Sequence, residues 1–176
     1  MSMAQIAVWA GFFGTLAQIG ATLAGLLFVG LTISLEHVIA SRGYLARGFT
    51  ALALQFEMLI VGVFGLIPGQ TPVALGCELI LAGAVVLAGV TVFARNFPED
   101  GSSTVLATRA PRAIRASLTA IATLSPAAAG AGLILGWPGA LYAIIPAVVA
   151  SVYLSIGYAW IFAIEIPRRR QERKKD

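Results

Sequence analysis

Residues 6–35 run for thirty positions without a charged side chain. As an α-helix this run would be about 45 Å long, against roughly 30 Å of bilayer hydrocarbon. Such a stretch constrains the fold severely, because a chain in lipid must satisfy every backbone polar group internally and a helix does so within one segment. The remainder of the chain has the same character. Of its 176 residues, 59% are hydrophobic and 11% are charged. Its mean hydropathy is +0.89. A soluble domain of this size would need far more charge to cover its surface. At roughly 20 residues per span, the length fits about five helices with short connections. The expected fold is therefore all-α, an integral membrane bundle of five transmembrane helices forming a single domain, with a basic tail at 167–176.

The punctuation of the sequence places the spans at about 6–39, 44–67, 72–95, 113–135 and 140–166. The first is longer than the membrane needs, so it must tilt, project, or begin as an interfacial segment around Trp9, Phe12 and Phe13, with Gly11 and Gly14 as places to bend. Pro68-Gly69 ends the second span and Thr71-Pro72 opens the third. Residues 96–108 form the single long polar connection. Gly136-Trp137-Pro138-Gly139 is the turn into the fifth span. Pro126 and Pro146 fall inside the fourth and fifth spans, where proline removes a helical hydrogen bond and a kink is expected.

All twelve basic residues fall in three places. Arg42 and Arg47 follow the first span; Arg95, Arg109, Arg112 and Arg115 surround the long connection; the remaining six lie in the tail. An alternating five-span path puts all of them on one side, which the positive-inside rule makes cytoplasmic. The N-terminus is then outside and the C-terminus inside. No Lys or Arg precedes Arg42, so the basic leader of a cleaved signal is not expected and the first helix should remain. The net charge of +4 belongs to these membrane-flanking positions and implies no nucleic-acid partner. Arg109, Arg112 and Arg115 form a basic face suited to lipid head groups, as does the tail with Arg168, Arg169 and Arg170. Glu165, just before the tail, is placed to pair with a tail arginine.

Within the first span, Thr15, Gln18, Thr22, Gly25, Val29, Thr32 and Glu36 are spaced three and four apart in alternation. On an α-helix they share one side. Hydrocarbon gives no reason for a polar row, so the seam should face water or another helix. The first choice makes Thr15, Gln18, Thr22, Gly25, Thr32 and Glu36 pore-lining, with Glu36 a charge at the mouth. The second choice rests on Ala17, Ala21 and Gly25, small residues that let helices approach closely, and on threonine hydroxyls bonding their own helix. A Gln18 amide needs partners in either case. His37, the single histidine, suits a pH sensor or ordinary interfacial placement.

Glu57 in the second span and Glu78 in the third are acidic residues within the membrane, where such groups face protein or water and mark ion or proton paths. Counted from the turn between their helices, they lie about 15 and 10 Å deep. Brought together, they would share a proton or hold a cation; kept apart, each would serve as packing glue bonded to a neighbour. Gln55 lies on another face and is expected to bond an adjacent helix. Ser151, Ser155 and Tyr158 line one face of the fifth span and suit a polar interior.

Enzyme signatures such as HExxH, GxSxG, a phosphate-binding loop or GxGxxG opening a helix do not occur. With one cysteine, Cys77, and one histidine, neither an internal disulfide, a metal site nor a bound cofactor is expected. The segment AGLLFVGLTISLE (24–36), with the second span ending in Pro68-Gly69-Gln70, resembles small bacterial multi-pass membrane proteins of unassigned function. That resemblance implies a prokaryotic inner-membrane setting.

These features lead to the expectation of a non-enzymatic homo-oligomeric channel, with the first helix lining a cation pathway and itself, lipids and ions as partners. Two alternatives stand beside it: an accessory or scaffold protein binding a partner through span one, and a small proton-coupled carrier using Glu57 and Glu78.

Overall fold

A computed structural model describes residues 6–97 and 112–165. Among them every regular element is helical: α1 (Ala10–Ile33), α2 (Leu35–Ala40), α3 (Arg42–Gly65), α4 (Pro72–Asn96), α5 (Arg112–Ile134), a 3₁₀ turn (Ala140–Ala143), α6 (Ile144–Trp160) and a π turn (Ile161–Glu165). Five stretches are long and apolar enough to cross a membrane: Ala10–Ile33, Arg42–Gly65, Pro72–Asn96, Ala113–Ile134 and Ala140–Ile164. The chain is a multi-pass membrane protein. The last four spans agree with their expected limits to within two residues.

The first span does not run as one rod. Its backbone leaves the helix at Ser34 (φ −106°, ψ 18°), which separates α1 from α2. Ser34 is 2% exposed, and its hydroxyl donates to the carbonyl of Phe162. At the other end, the chain turns at Val8 and Trp9 before α1 begins. The excess length is absorbed by these two breaks, while Gly11 and Gly14, the expected bending points, lie inside α1.

Small residues set the close crossings. A Cβ on Gly20 would come within 2.7 Å of the Leu59 amide nitrogen, and one on Gly62 within 2.6 Å of that of Ala17, so α1 and α3 touch almost backbone to backbone. The contacts run in opposite senses along the two helices. Gly76 against Gly130 and Gly83 against Thr123 make the same kind of crossing between α4 and α5. In the membrane this closeness replaces hydrophobic driving force with van der Waals contact. Helix α6 closes the arrangement against α1 and α3. Trp9 meets Tyr142 edge-on at 4.9 Å at one end, and Gly30 packs on Phe162 at the other.

The connections follow local chemistry. Thr71 caps α4 by accepting from the Ala74 amide at 3.2 Å, with Pro72 in the first helical turn, where its missing N–H is no loss. Gly69 adopts φ +70° in the turn before it, a backbone state glycine enters without steric cost. Pro126 lies inside α5 as expected. Pro146 does not interrupt a helix: it sits in the first turn of α6, after the 3₁₀ turn, where no hydrogen bond is there to break.

Two apolar clusters fill the interior. One gathers Phe13, Leu16, Met58, Leu79, Leu133 and Leu141; the other gathers Leu27, Leu54, Leu154 and Phe162. The polar side chains of Gln55, Glu57, Thr123 and Ser151 are buried as well. Helix α3 is central, with 50% of its most apolar window buried, whereas for α1 the figure is 22%.

Candidate functional site

Glu57 belongs to α3, and the burial of that helix on several sides leaves the residue 2% exposed. Among the described residues neither of its oxygens has a hydrogen-bond partner. The side chain lines a small cavity of about 10 Å³ with Leu16 of α1, Met58 of α3, Ala122 and Pro126 of α5, and Ile144 and Ser151 of α6. One water needs roughly 10–15 Å³ by the same measure. A carboxyl in such a place would be expensive as a charge without a partner, since its desolvation is not offset by any bond.

Glu78 is placed differently. It is half-buried in α4 and accepts a hydrogen bond from the Gln70 amide in the preceding turn. No hydrogen bond joins the two carboxyls. A count of residues to the turn says nothing of the rotation of each helix about its axis, and that rotation aims Glu57 toward α1, α5 and α6. Gln55 does bond an adjacent helix: its amide nitrogen donates to the Ser151 carbonyl at 3.3 Å and to the Ser155 hydroxyl. Ser151, Ser155 and Tyr158 are all buried on the inner face of α6.

The seam of the first span lies on the opposite side of α1 from the core. Thr15, Gln18, Thr22, Gly25, Val29, Thr32 and Glu36 are all exposed, while Phe13, Leu16, Gly20, Leu27 and Gly30 turn inward. Nothing lies within 4 Å of a Cβ built on Gly25. The Thr15 hydroxyl donates to the Gly11 carbonyl at 2.9 Å and that of Thr32 to the Val29 carbonyl at 2.8 Å. Of the small residues expected to let helices approach, Ala17 meets Gly62 inside the protomer, whereas Ala21 and Gly25 face outward.

Sequence reasoning did not find Gly20, Gly62, Gly76 or Gly130 as crossing points. Their signal is faint, because small residues are frequent throughout the chain and the partner helix is needed to choose among them. It also missed the meeting of Pro126 and Ser151 at Glu57. Among the basic positions, Arg115 is half-buried, and Arg47 is 4% exposed with its guanidinium 5.9 Å from the Tyr44 ring. Arg109, Arg168, Arg169 and Arg170 lie outside the described residues, as do the side chains of His37, Arg112 and Glu165. Among the described residues no group of three His, Cys, Asp or Glu side chains could hold a metal ion, and Cys77 is exposed.

No protein-family model matches the chain, and neither a curated protein nor a solved structure is detectably similar to it.

Proposed function

We propose that this chain forms a homo-oligomeric membrane channel for small cations, with α1 nearest the symmetry axis. The observation that carries the reading is the exposed seam of the first span: six residues of α1 at helical spacing, Gln18 among them, with Glu36 following in α2, all on surface that the described helices leave uncovered. An amide such as that of Gln18 needs hydrogen-bond partners that lipid tails lack, and a second copy of α1 or water supplies them. The cavity at Glu57 has room for about one water, which is too little for a path. A pathway therefore belongs between copies, and closed symmetry about one axis is the usual arrangement of a homo-oligomer. Acidic Glu36 at one mouth favours cations over anions. The positive-inside rule places the N-terminus outside, and puts Arg42, Arg95, Arg115 and the tail against cytoplasmic lipid.

Purified protein reconstituted in liposomes tests the proposal. Ion flux is expected, with Gln18→Leu and Glu36→Gln altering it. A stable monomer in mild detergent, together with no flux across pH and voltage, refutes it. One observation favours a second reading: Thr15 and Thr32 already satisfy their hydroxyls within α1, as residues in a dry helix contact do. On that reading the seam docks the helix of a partner protein in a non-conducting complex, and a partner co-purifies in fixed stoichiometry.

A further inference from the structure

We propose that the outer face of α6 is the second half of the contact between copies, with the Tyr153 hydroxyl of one copy hydrogen-bonded to the Gln18 side chain of the next. This contact rests on the reading that copies associate through α1, and it needs no conduction.

Tyr153 sits near the middle of the fifth span, Ala140–Ile164, roughly 15–20 Å from either end. Tyrosine is ordinarily enriched at the membrane interfaces, where its hydroxyl meets water. Here the side chain is 65% exposed at the depth of lipid tails. Its hydroxyl makes no hydrogen bond among the described residues. A polar group without a partner is costly in hydrocarbon, and at this depth such groups usually face protein. Gln18 is in the same circumstance on α1: exposed, with no hydrogen bond among the described residues. Its amide carries two donors and an acceptor, so one bond to Tyr153 leaves others for water or a second α1.

The two residues also stand at matching levels. Helices α1 and α6 run side by side in the same direction, since Trp9 meets Tyr142 at one end and Gly30 packs on Phe162 at the other. Counted from the first of these contacts, Gln18 is about 14 Å along α1 and Tyr153 about 17 Å along α6. A helical tyrosine leans back toward the N-terminus of its helix, which brings its hydroxyl to the level of Gln18. Copies related by an axis along the membrane normal keep every residue at its own depth, so only groups at equal levels can meet.

A second pair of residues obeys the same register. Gly157, exposed between Tyr153 and Trp160 on α6, and Gly25 on α1 would each carry a Cβ with nothing within 4 Å. They lie about 23 and 24 Å from the same contact. Opposed glycines let helix backbones approach closely, and that approach holds Tyr153 against the neighbouring α1. A lipid tail could fill the notch at Gly157 but has no acceptor for the hydroxyl. Because the two patches differ, the contact is head-to-tail and closes by forming a ring.

Disulfide cross-linking of the full chain in bilayers tests the contact. In a Cys77→Ala background, two differently tagged chains are co-expressed, one with Gly25→Cys and the other with Gly157→Cys. A band bearing both tags is expected on oxidation, because a disulfide needs Cα atoms within about 7 Å; Gly25→Cys paired with Leu81→Cys, on the exposed face of α4, should give none. Equal linking of both pairs overturns the proposal, as does linking of Gly157→Cys only to a different protein. No mixed band while Thr22→Cys still links copies overturns the α6 contact and leaves association through α1 standing. A monomer with no links of any kind overturns both. Energy transfer between labelled copies in liposomes then reads the hydrogen bond itself. Tyr153→Phe removes only the hydroxyl and should weaken association about threefold per contact, the effect of an average interhelical bond in a membrane. In a Gln18→Leu background the same change should add no further loss; an undiminished threefold loss there, or none in the wild type, overturns the pairing.

Discussion

Gly76 and Gly25 are the same residue in opposite circumstances. A Cβ on Gly76 would stand 2.7 Å from the Gly130 carbonyl oxygen, whereas one on Gly25 would have nothing within 4 Å. Gly76→Ala must therefore push α4 and α5 apart, at a cost of about 1–3 kcal/mol, which unfolding titrations in mixed micelles would register. Gly25→Ala should change protomer stability by no more than about 0.5 kcal/mol. If copies meet through α1, Gly25→Leu will instead shift the oligomer distribution on size-exclusion chromatography while the protomer stays folded. Gln55 offers a third measurement. Gln55→Leu removes its bonds to Ser151 and Ser155, and interhelical hydrogen bonds in membranes average about 0.6 kcal/mol, so a modest loss of stability is expected. That Gln55 needed a partner was legible from its amide alone. That Glu57 would have none was not, because the absence of a donor is a property of three other helices.

At the scale of elements, the spans were legible because each needs only a run of apolar residues ended by charge, proline or glycine. The break at Ser34 was not, since its cause is a carbonyl 128 residues away. Ser34→Ala should leave α4 untouched and speed amide exchange across Ile161–Glu165, where the lost bond was anchored. Pro146 shows a related limit. Proline in a predicted span reads as a kink, yet the outcome depends on where the regular helix begins, and the 3₁₀ turn moves that start to Ile144. The seam on α1 lies between these cases. Its periodicity grouped seven residues, all of them exposed, although the last, Glu36, falls in α2 beyond the break at Ser34; which side of α1 faces the bundle was decided by Gly20 and Gly30, whose contacts only the packed structure reveals.

For the whole molecule, the exposed seam makes a prediction about copies. In a Cys77→Ala background, Thr22→Cys on the outer face of α1 should form a disulfide between protomers under oxidation, and buried Leu16→Cys should not. Equal cross-linking of both, or of neither, would remove the support for self-association through this helix. The π turn at Ile161–Glu165 has a different consequence. Such a turn holds one more residue than an α turn, so it acts as slack in the thread: each residue of an α-helix rotates the chain by about 100°. Deleting exposed Ala163 would let the wide turn tighten to an ordinary one, changing the register only of the residues that follow it. Deleting Val152 would rotate Ser155 and Tyr158 away from their buried face. The first deletion should still yield folded protein in the membrane and the second should not, which makes the end of the fifth span the place where this chain tolerates a change of length.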